Sequence, residues 1–354
     1  MIMSTLIAPD FTEAELDREA DRLFKRLLSV ECSAQGSWSL DRCHQLAPVT
    51  LEIEQLKKEK NAIVLAHSYV NPEIIYGVGD LVGDSYKLSV GAAENKKPVI
   101  VFSGVVFMAE TAKILSPNAK VYVPDIGSGC SLADSLTGAQ LRELKKEVGD
   151  DVATICYINC NADVKAECHV CVTSTNVYDI VAKLPQRRIL FVPDRLMAEN
   201  IRTEMRDRGI DKEILTSDGT CMVHDQFSTD LIHEARARYP GLAVVSHPEC
   251  TPEVTGLSDF VGSTGAMMNF VKTSDAPYFM MLTECGLVSR LEVENPEKRF
   301  IGSCKLCPYM KLNTLEKIRD VLKQPHPEHE ITLDEELRVR AETSLRRMIE
   351  MTSA

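Results

Sequence analysis

Three cysteines at a long and nearly regular spacing are the residues best suited to chemistry in this chain. Cys130, Cys221 and Cys307 lie 91 and 86 residues apart, each in a segment that reads as a turn after an apolar run: VYVPDIGSGC, ILTSDGTC and FIGSCKLC. Thiolate sulfur is a soft ligand, so three such groups meeting at one point suit a zinc ion or an iron–sulfur cluster. A structural zinc site is normally closed by four ligands. A 4Fe-4S cluster held by three cysteines leaves one iron open to polarise a hydroxyl or carbonyl oxygen and help expel water. Cys304, in the Cys304-x-x-Cys307 pair, offers an alternative third ligand. Cys307 is favoured because its Pro-Tyr-Met leads into a helix.

Polar groups recur with the same period. AIVLAHSY from Ala62, ATICYINC from Ala153 and AVVSHPEC from Ala243 start 91 and 90 residues apart, and Ser85, Ser174 and Ser263 are each separated by 89. Met108-Ala109-Glu110 returns as Met197-Ala198-Glu199 after another 89 residues. Short apolar runs alternating with amphipathic stretches are the pattern of βα units in parallel sheets. The expected fold is therefore α/β: three pseudo-equivalent domains with small parallel sheets, related by a pseudo-threefold axis around a central active site. Ligand sites in such sheets form beyond the carboxyl ends of the strands, where these polar groups fall. The expected boundaries are an N-terminal helical extension at 1–50, repeats at 51–140, 141–230 and 231–312, and a C-terminal helical tail at 313–354. Thr12 is the expected cap of a first amphipathic helix.

Composition narrows the function classes. The 354 residues are 44% hydrophobic and 26% charged with a net charge of −12, enough apolar material for a large core and too acidic to favour nucleic acid or an anionic membrane. MIMSTLIAPDFTEAELDREAD is too acidic and too short in its apolar run for a signal peptide, and no apolar stretch of membrane-spanning length occurs. The expected location is the cytoplasm. Twelve cysteines in a reducing compartment argue against a disulfide framework. Cys156, Cys160, Cys250 and Cys285 are read as thiols packed in the core. Cys168-x-x-Cys171 has metal-like spacing but lacks counterparts in the other repeats, and nothing around Cys32 or Cys43 assigns them a role. His224 is read as lining the pocket, Glu110 and Glu199 as helix-start charges, Lys113 and Lys165 as helix lysines in solvent, and His326 and His329 as loop residues in solvent.

The strings AHSYVNPEI, GDSYKL, FMAETAKILSP, PDRLM, GTCMVHDQF, HPEC, VGSTG and CPYMKLNTLEKI, in this order, make the chain from about Asn61 to Thr314 resemble the quinolinate synthase family of NAD biosynthesis. The resemblance implies condensation of iminoaspartate with dihydroxyacetone phosphate, with loss of phosphate and two waters, on a 4Fe-4S cluster held by three cysteines. It also implies supply of the imine by an L-aspartate oxidase. Matched position by position, it implies substrate binding by His67, Ser85, Tyr157, Asn159, Ser174, His247, Glu249 and Thr264, and the repeating hydroxyls at helix starts add Ser263 as a further anion-binding candidate. Proton transfers fall to His67, Tyr69, Tyr157, His247 and Glu249. The chain departs from the family at Ser68, where relatives often carry Asn or Tyr, and at Cys160-Asn161, where a Thr or Ser pair is usual.

Two other classes are kept open: an iron–sulfur hydro-lyase acting on a hydroxy acid, and a non-catalytic zinc or phospho-ligand binding protein. Replacing Cys130, Cys221 or Cys307 by Ser is expected to abolish the iron–sulfur absorption of anaerobically purified protein, whereas Cys304→Ser and Cys168→Ser retain it. An intact cluster in Cys307→Ser would move the third ligand to Cys304.

Overall fold

The computed structural model describes residues 11–31, 37–302 and 304–353; Cys32 lies outside them. Among the described residues twelve short strands form three four-stranded sheets, all parallel. The first holds β1 (Ala62–His67), β2 (Leu81–Gly83), β3 (Val99–Ser103) and β4 (Lys120–Tyr122) in the order β2-β1-β3-β4. The second holds β5 (Val152–Tyr157), β6 (Val170–Val172), β7 (Arg188–Val192) and β8 (Glu213–Thr216) in the order β6-β5-β7-β8. The third repeats the topology with β9 (Leu242–Ser246), β10 (Phe260–Val261), β11 (Tyr278–Leu282) and β12 (Phe300–Ile301), as β10-β9-β11-β12. One connectivity used three times is the structural form of the sequence repeat, consistent with three pseudo-equivalent α/β domains.

The register is shifted from the one the sequence blocks imply. Ala62 pairs with Val99, Val152 with Arg188, and Leu242 with Tyr278. Ala62, Val152 and Leu242 are therefore equivalent, a period of 90 residues in both steps. Aligning the alanines instead slips the second and third repeats by one residue, and a slip of one sends every side chain of a strand to the opposite face. The alanines match because both faces of these strands are buried and apolar, which leaves composition unable to mark the face.

Alternation decides what each face packs against. In the third sheet Ala243, Val245, Phe279 and Met281 join the core of the first sheet, while Leu242, Val244, Met280 and Leu282 form a separate outer cluster. The second sheet has its own core, completed by Ala341, Leu345 and Met348 of the helix Glu335–Ser353, each fully buried. The first helix, Glu13–Leu27, begins in a capping box between Thr12 and Glu15 and packs on the helix Leu40–Glu59 around Leu23, Leu27 and Cys43.

Three expectations are corrected here. Cys285 and Cys304 form a disulfide with Cα atoms 5.2 Å apart; the sequence separation of 19 hides that β11 and β12 run side by side and end together. Lys165 is fully buried rather than solvated. His329 turns its Nδ1 to the Val123 carbonyl at 2.8 Å, because the chain at Glu330 bridges the edge of the first sheet at Tyr122. Leu345→Ala is expected to cost about 2–5 kcal/mol and to lower the thermal unfolding midpoint, since it opens a cavity where the last helix covers the second sheet.

Candidate active site

The carboxyl ends of the three central strands open on one cavity. With the observed register, His67, Tyr157 and His247 are equivalent, as are Tyr69, Asn159 and Glu249 two residues on. All six line the cavity. In each repeat the first residue ends or follows its strand and the second lies in the turn or bend just beyond, so one strand-end geometry delivers two polar side chains from each repeat.

The next strands contribute one position further round. Gly83, Val172 and Gly262 end or follow β2, β6 and β10, with Gly83 beside His67, Val172 beside Tyr157 and the Gly262 N–H donating to Ser246 O. Ser85, Ser174 and Thr264 are then equivalent, and all three line the cavity. Ser263 does not; it corresponds to Asp84, and both act as helix caps. The Ser263 hydroxyl accepts from Ala266 N at 3.3 Å, and Asp84 accepts from Lys87 N at 2.9 Å. The equal spacing of the serines concealed this one-residue offset. Asp84 also reaches across to accept from Gly265 N at 3.3 Å, joining the first repeat to the third at the cavity wall.

The cysteine turns are equivalent by their backbone bonds. The N–H groups of Val106, Arg195 and Cys285, at three helix starts, donate to Ser128, Gly219 and Lys305, each two residues before Cys130, Cys221 and Cys307. The N–H groups of Asp134, Asp225 and Lys311 in turn donate back to those cysteine carbonyls. Cys130 and Cys307 line the cavity, while Cys221 stands behind His224, its Sγ 3.3 Å from Nδ1. Burial pushes the Cys130 thiol up to about 12 and raises those of Cys221 and Cys307 as well. Cys221 Sγ, a His224 nitrogen and a Glu249 oxygen lie within 4.8 Å of one another, a group able to hold a metal ion.

Glu249 is the electrostatic centre. It is 2% exposed and accepts from the Tyr157 hydroxyl at 2.5 Å and from Asn159 Nδ2 at 3.3 Å, with His224 Nδ1 at 3.0 Å from its second oxygen. Burial opposes its charge, but His224 beside it and the hydrogen bonds from His224 and the Tyr157 hydroxyl outweigh burial and hold the carboxyl below the usual carboxylate range. The chain of bonds continues from His224 Nε2 to the Thr283 hydroxyl at 3.2 Å and from there to the Tyr69 hydroxyl at 2.8 Å. With Nδ1–H given to the carboxylate, Nε2 accepts from Thr283, which accepts from Tyr69. One wire thus runs through all three repeats.

His67 and His247 share a local device. Each Nδ1 accepts the backbone N–H two residues on, from Tyr69 at 3.2 Å and from Glu249 at 3.3 Å. That fixes the tautomer with the proton on Nε2. Burial lowers both imidazoles to about 3, with Arg290 adding to the effect at His67. They are neutral N–H donors, not cations.

Several contributors escaped the sequence reading. Glu284, fully buried, accepts from Gly286 N at 2.6 Å and Cys307 N at 3.2 Å and pairs with Lys311 at 3.0 Å; Lys311 also donates to the Tyr69 carbonyl at 2.5 Å. This pair ties the Tyr69 loop to the Cys307 turn. Gly286 is required for that approach, because a Cβ there would meet the Tyr69 carbonyl oxygen at 2.7 Å. Asn200 donates to the carbonyls of Pro248 and Cys250 at 2.8 Å and anchors the Glu249 loop from the second repeat. Ser68 accepts from Arg290 at 2.8 Å. Glu110, expected as a helix-start charge, accepts the Ala162 N–H at 2.8 Å between the first and second repeats. Thr283 and Glu284, at the end of β11, were legible as polar strand-end residues in LTEC, but the third copy reads as apolar pattern alone.

Because His67 is neutral when folded and has an ordinary value of 6.5 when exposed, the unfolded chain binds the extra proton below that pH. Its contribution to stability is full above 6.5 and declines as the pH falls toward about 3. Thermal unfolding is expected to show His67→Gln losing about 2 kcal/mol less than the parent between neutrality and about pH 5; equal losses would place the His67 ring in solvent.

Comparison with known proteins agrees with this geometry. The family model described as "Quinolinate synthetase A protein" matches residues 51–350. A quinolinate synthase of Caulobacter vibrioides is 41% identical over 341 residues, covering 93% of this chain and 91% of the relative. Quinolinate synthase 2 of Mesorhizobium japonicum is 41% identical over 297 residues, with coverage of 84% and 89%, and the quinolinate synthase of Rippkaea orientalis is 41% identical over 308 residues, with coverage of 85% and 92%. None of the helices among the described residues is long and apolar enough to cross a membrane. The equivalent strand ends, the converging cysteine turns and these likenesses together make the chain a member of the quinolinate synthetase A family.

Proposed function

We propose that the chain is a quinolinate synthase that joins iminoaspartate to dihydroxyacetone phosphate, releasing phosphate and two waters. The sum is redox-neutral: the atoms of the two substrates equal those of quinolinate, phosphate and two waters, so no external oxidant is required. The observation that carries the reading is the single cavity to which each repeat sends a paired polar strand end and a hydroxyl, at a helix start in the first and third repeats and in the turn before a helix in the second. We read the repeats as three domains about a pseudo-threefold axis, with the boundaries expected from sequence.

Cys130, Cys221 and Cys307 are the residues that would hold a 4Fe-4S cluster. The fit rests on their equivalent turns and on their soft donors, all three being free thiols. When bound, such a cluster with three protein ligands supplies Lewis acidity to a substrate oxygen.

The chain's own residues supply the rest. Both substrates are anionic, and the Nε2–H groups of His67 and His247 donate to carboxylate oxygens without adding charge. Ser85 and Thr264, at the starts of the helices Ser85–Glu94 and Thr264–Thr273, offer hydroxyls where the helix field favours anions; Ser174 offers a third. Asn159 Oδ1 is buried with no partner among the described residues and lines the cavity, which fits acceptance of a donor from the imine substrate. Each water loss needs a base to take a C–H proton and an acid to protonate the departing oxygen. Glu249 is the base held ionised for this purpose, and Tyr69, whose hydroxyl is hydrogen-bonded to Thr283, is the acid.

Anaerobically purified protein given iminoaspartate and dihydroxyacetone phosphate is expected to form quinolinate, identified chromatographically. Glu249→Gln is expected to lower turnover by about a hundredfold or more while leaving the iron–sulfur absorption in place. A brown protein that makes no quinolinate would sink the reading.

A further inference from the structure

The helices Val106–Leu115, Arg195–Asp207 and Cys285–Glu294 follow β3, β7 and β11 and are equivalent in the three repeats. Each is fixed at its first residue to the cysteine turn of its own repeat, through the N–H groups of Val106, Arg195 and Cys285. About one turn further on, each reaches out of its repeat. Glu110 of the first accepts the Ala162 N–H of the second at 2.8 Å. Asn200 of the second donates to the Pro248 and Cys250 carbonyls of the third, both at 2.8 Å. Arg290 of the third donates to the Ser68 hydroxyl of the first at 2.8 Å, which closes the ring.

Counted from the helix starts, Asn200 and Arg290 are equivalent and Glu110 stands one residue earlier. The change of residue type has a local cause. Each gripped loop enters a short helix at equivalent positions, Pro72, Ala162 and Pro252. Proline has no N–H, so only the second repeat presents a donor there, and only there does a carboxylate serve. The other two loops offer oxygen atoms and are met by donors. In the first repeat the residue equivalent to Asn200 is Thr111, whose hydroxyl is spent on the Phe107 carbonyl of its own helix at 2.9 Å.

We propose that Glu110, Asn200 and Arg290 are positioning residues, each setting the pair of cavity side chains presented by the next repeat. The pairs are Tyr157 and Asn159, His247 and Glu249, and His67 and Tyr69. The three positioning residues stand behind the cavity wall and do not line it. Two of them are themselves held: Asn200 Oδ1 accepts from the Thr255 hydroxyl at 2.8 Å, and Arg290 donates to Glu294 at 2.7 and 3.0 Å. A side chain committed at both ends has one geometry to pass on. Each helix is thus a strut between one cysteine turn and the next repeat's loop. The chemical roles of the loops rest on the function proposed above; the grips do not.

The test is hydrogen exchange of the intact, anaerobically purified protein, read amide by amide by mass spectrometry, alongside steady-state kinetics. Asn200→Leu is expected to lose protection at the Glu249 and Cys250 amides, which bond back to His247, while the Ile158 amide of its own repeat stays protected. Arg290→Met is expected to lose protection at Tyr69 and Val70, which bond back to His67, while Glu249 and Cys250 stay protected. Arg290→Lys, which still presents a donor to Ser68, is expected to restore it. Asn200→Leu is expected to lower kcat by about tenfold or more without raising KM, as for a displaced base. Equal loosening of all three loops, loosening confined to the variant's own repeat, or unchanged exchange would overturn the assignment. The parent supplies a test that needs no variant to fold. The Ala162 amide, a first-turn N–H with no partner in its own helix, is expected to be protected by Glu110, and rapid exchange there overturns the proposal. Exchange as expected in a protein that makes no quinolinate sinks the proposed reaction and leaves the positioning ring standing.

Discussion

A carboxylate buried at the meeting point of three strand ends is the constraint on which the rest of this structure depends. Taking a charge such as that of Glu249 out of water costs several kcal/mol unless donors surround it. Those donors come from the second repeat, as Tyr157, Asn159 and His224, although Glu249 belongs to the third. The same histidine then engages Thr283, and Thr283 engages Tyr69 of the first repeat. The three sheets cannot drift apart without stranding that charge. The requirement of a stable fold and that of an ionised carboxylate are thus met by one set of bonds.

Around this centre the chain separates groups that hold from groups that react. Asp84, Ser263, Glu284, Lys311 and Asn200 spend their polar atoms on backbone and on one another. They fix loops whose next residues face the cavity. Ser85 beside Asp84, Thr264 beside Ser263 and Glu249 between the two carbonyls gripped by Asn200 are the cases in point. Reactive geometry here is inherited from neighbours already committed elsewhere.

Much of this was legible before any coordinates. The repeat, the parallel strands, the cysteine turns and most cavity residues follow from apolar runs ending in polar groups. What failed did so for physical reasons. Strands buried on both faces carry no alternation to fix their phase, so the alanines aligned one residue out of step and Ser263 was grouped with the cavity hydroxyls when its place is that of a cap. The Cys285–Cys304 bond joins the ends of adjacent strands, an adjacency sequence distance does not encode. Lys165 looks like any helix lysine until the thiols and Glu110 around it are seen.

The bond between the Tyr69 and Thr283 hydroxyls spans 214 residues of chain. Contacts of such separation are made only after the intervening loops have closed, and they are slow to form. Each sheet can gather locally, with its own strands and helices, but none of them owns a complete hydrogen-bonded wire. The hydrogen-bonded wire is therefore complete only when all three sheets are in place. A chain that stops short of the third sheet lacks both Glu249 and Thr283 and holds only fragments of that wire.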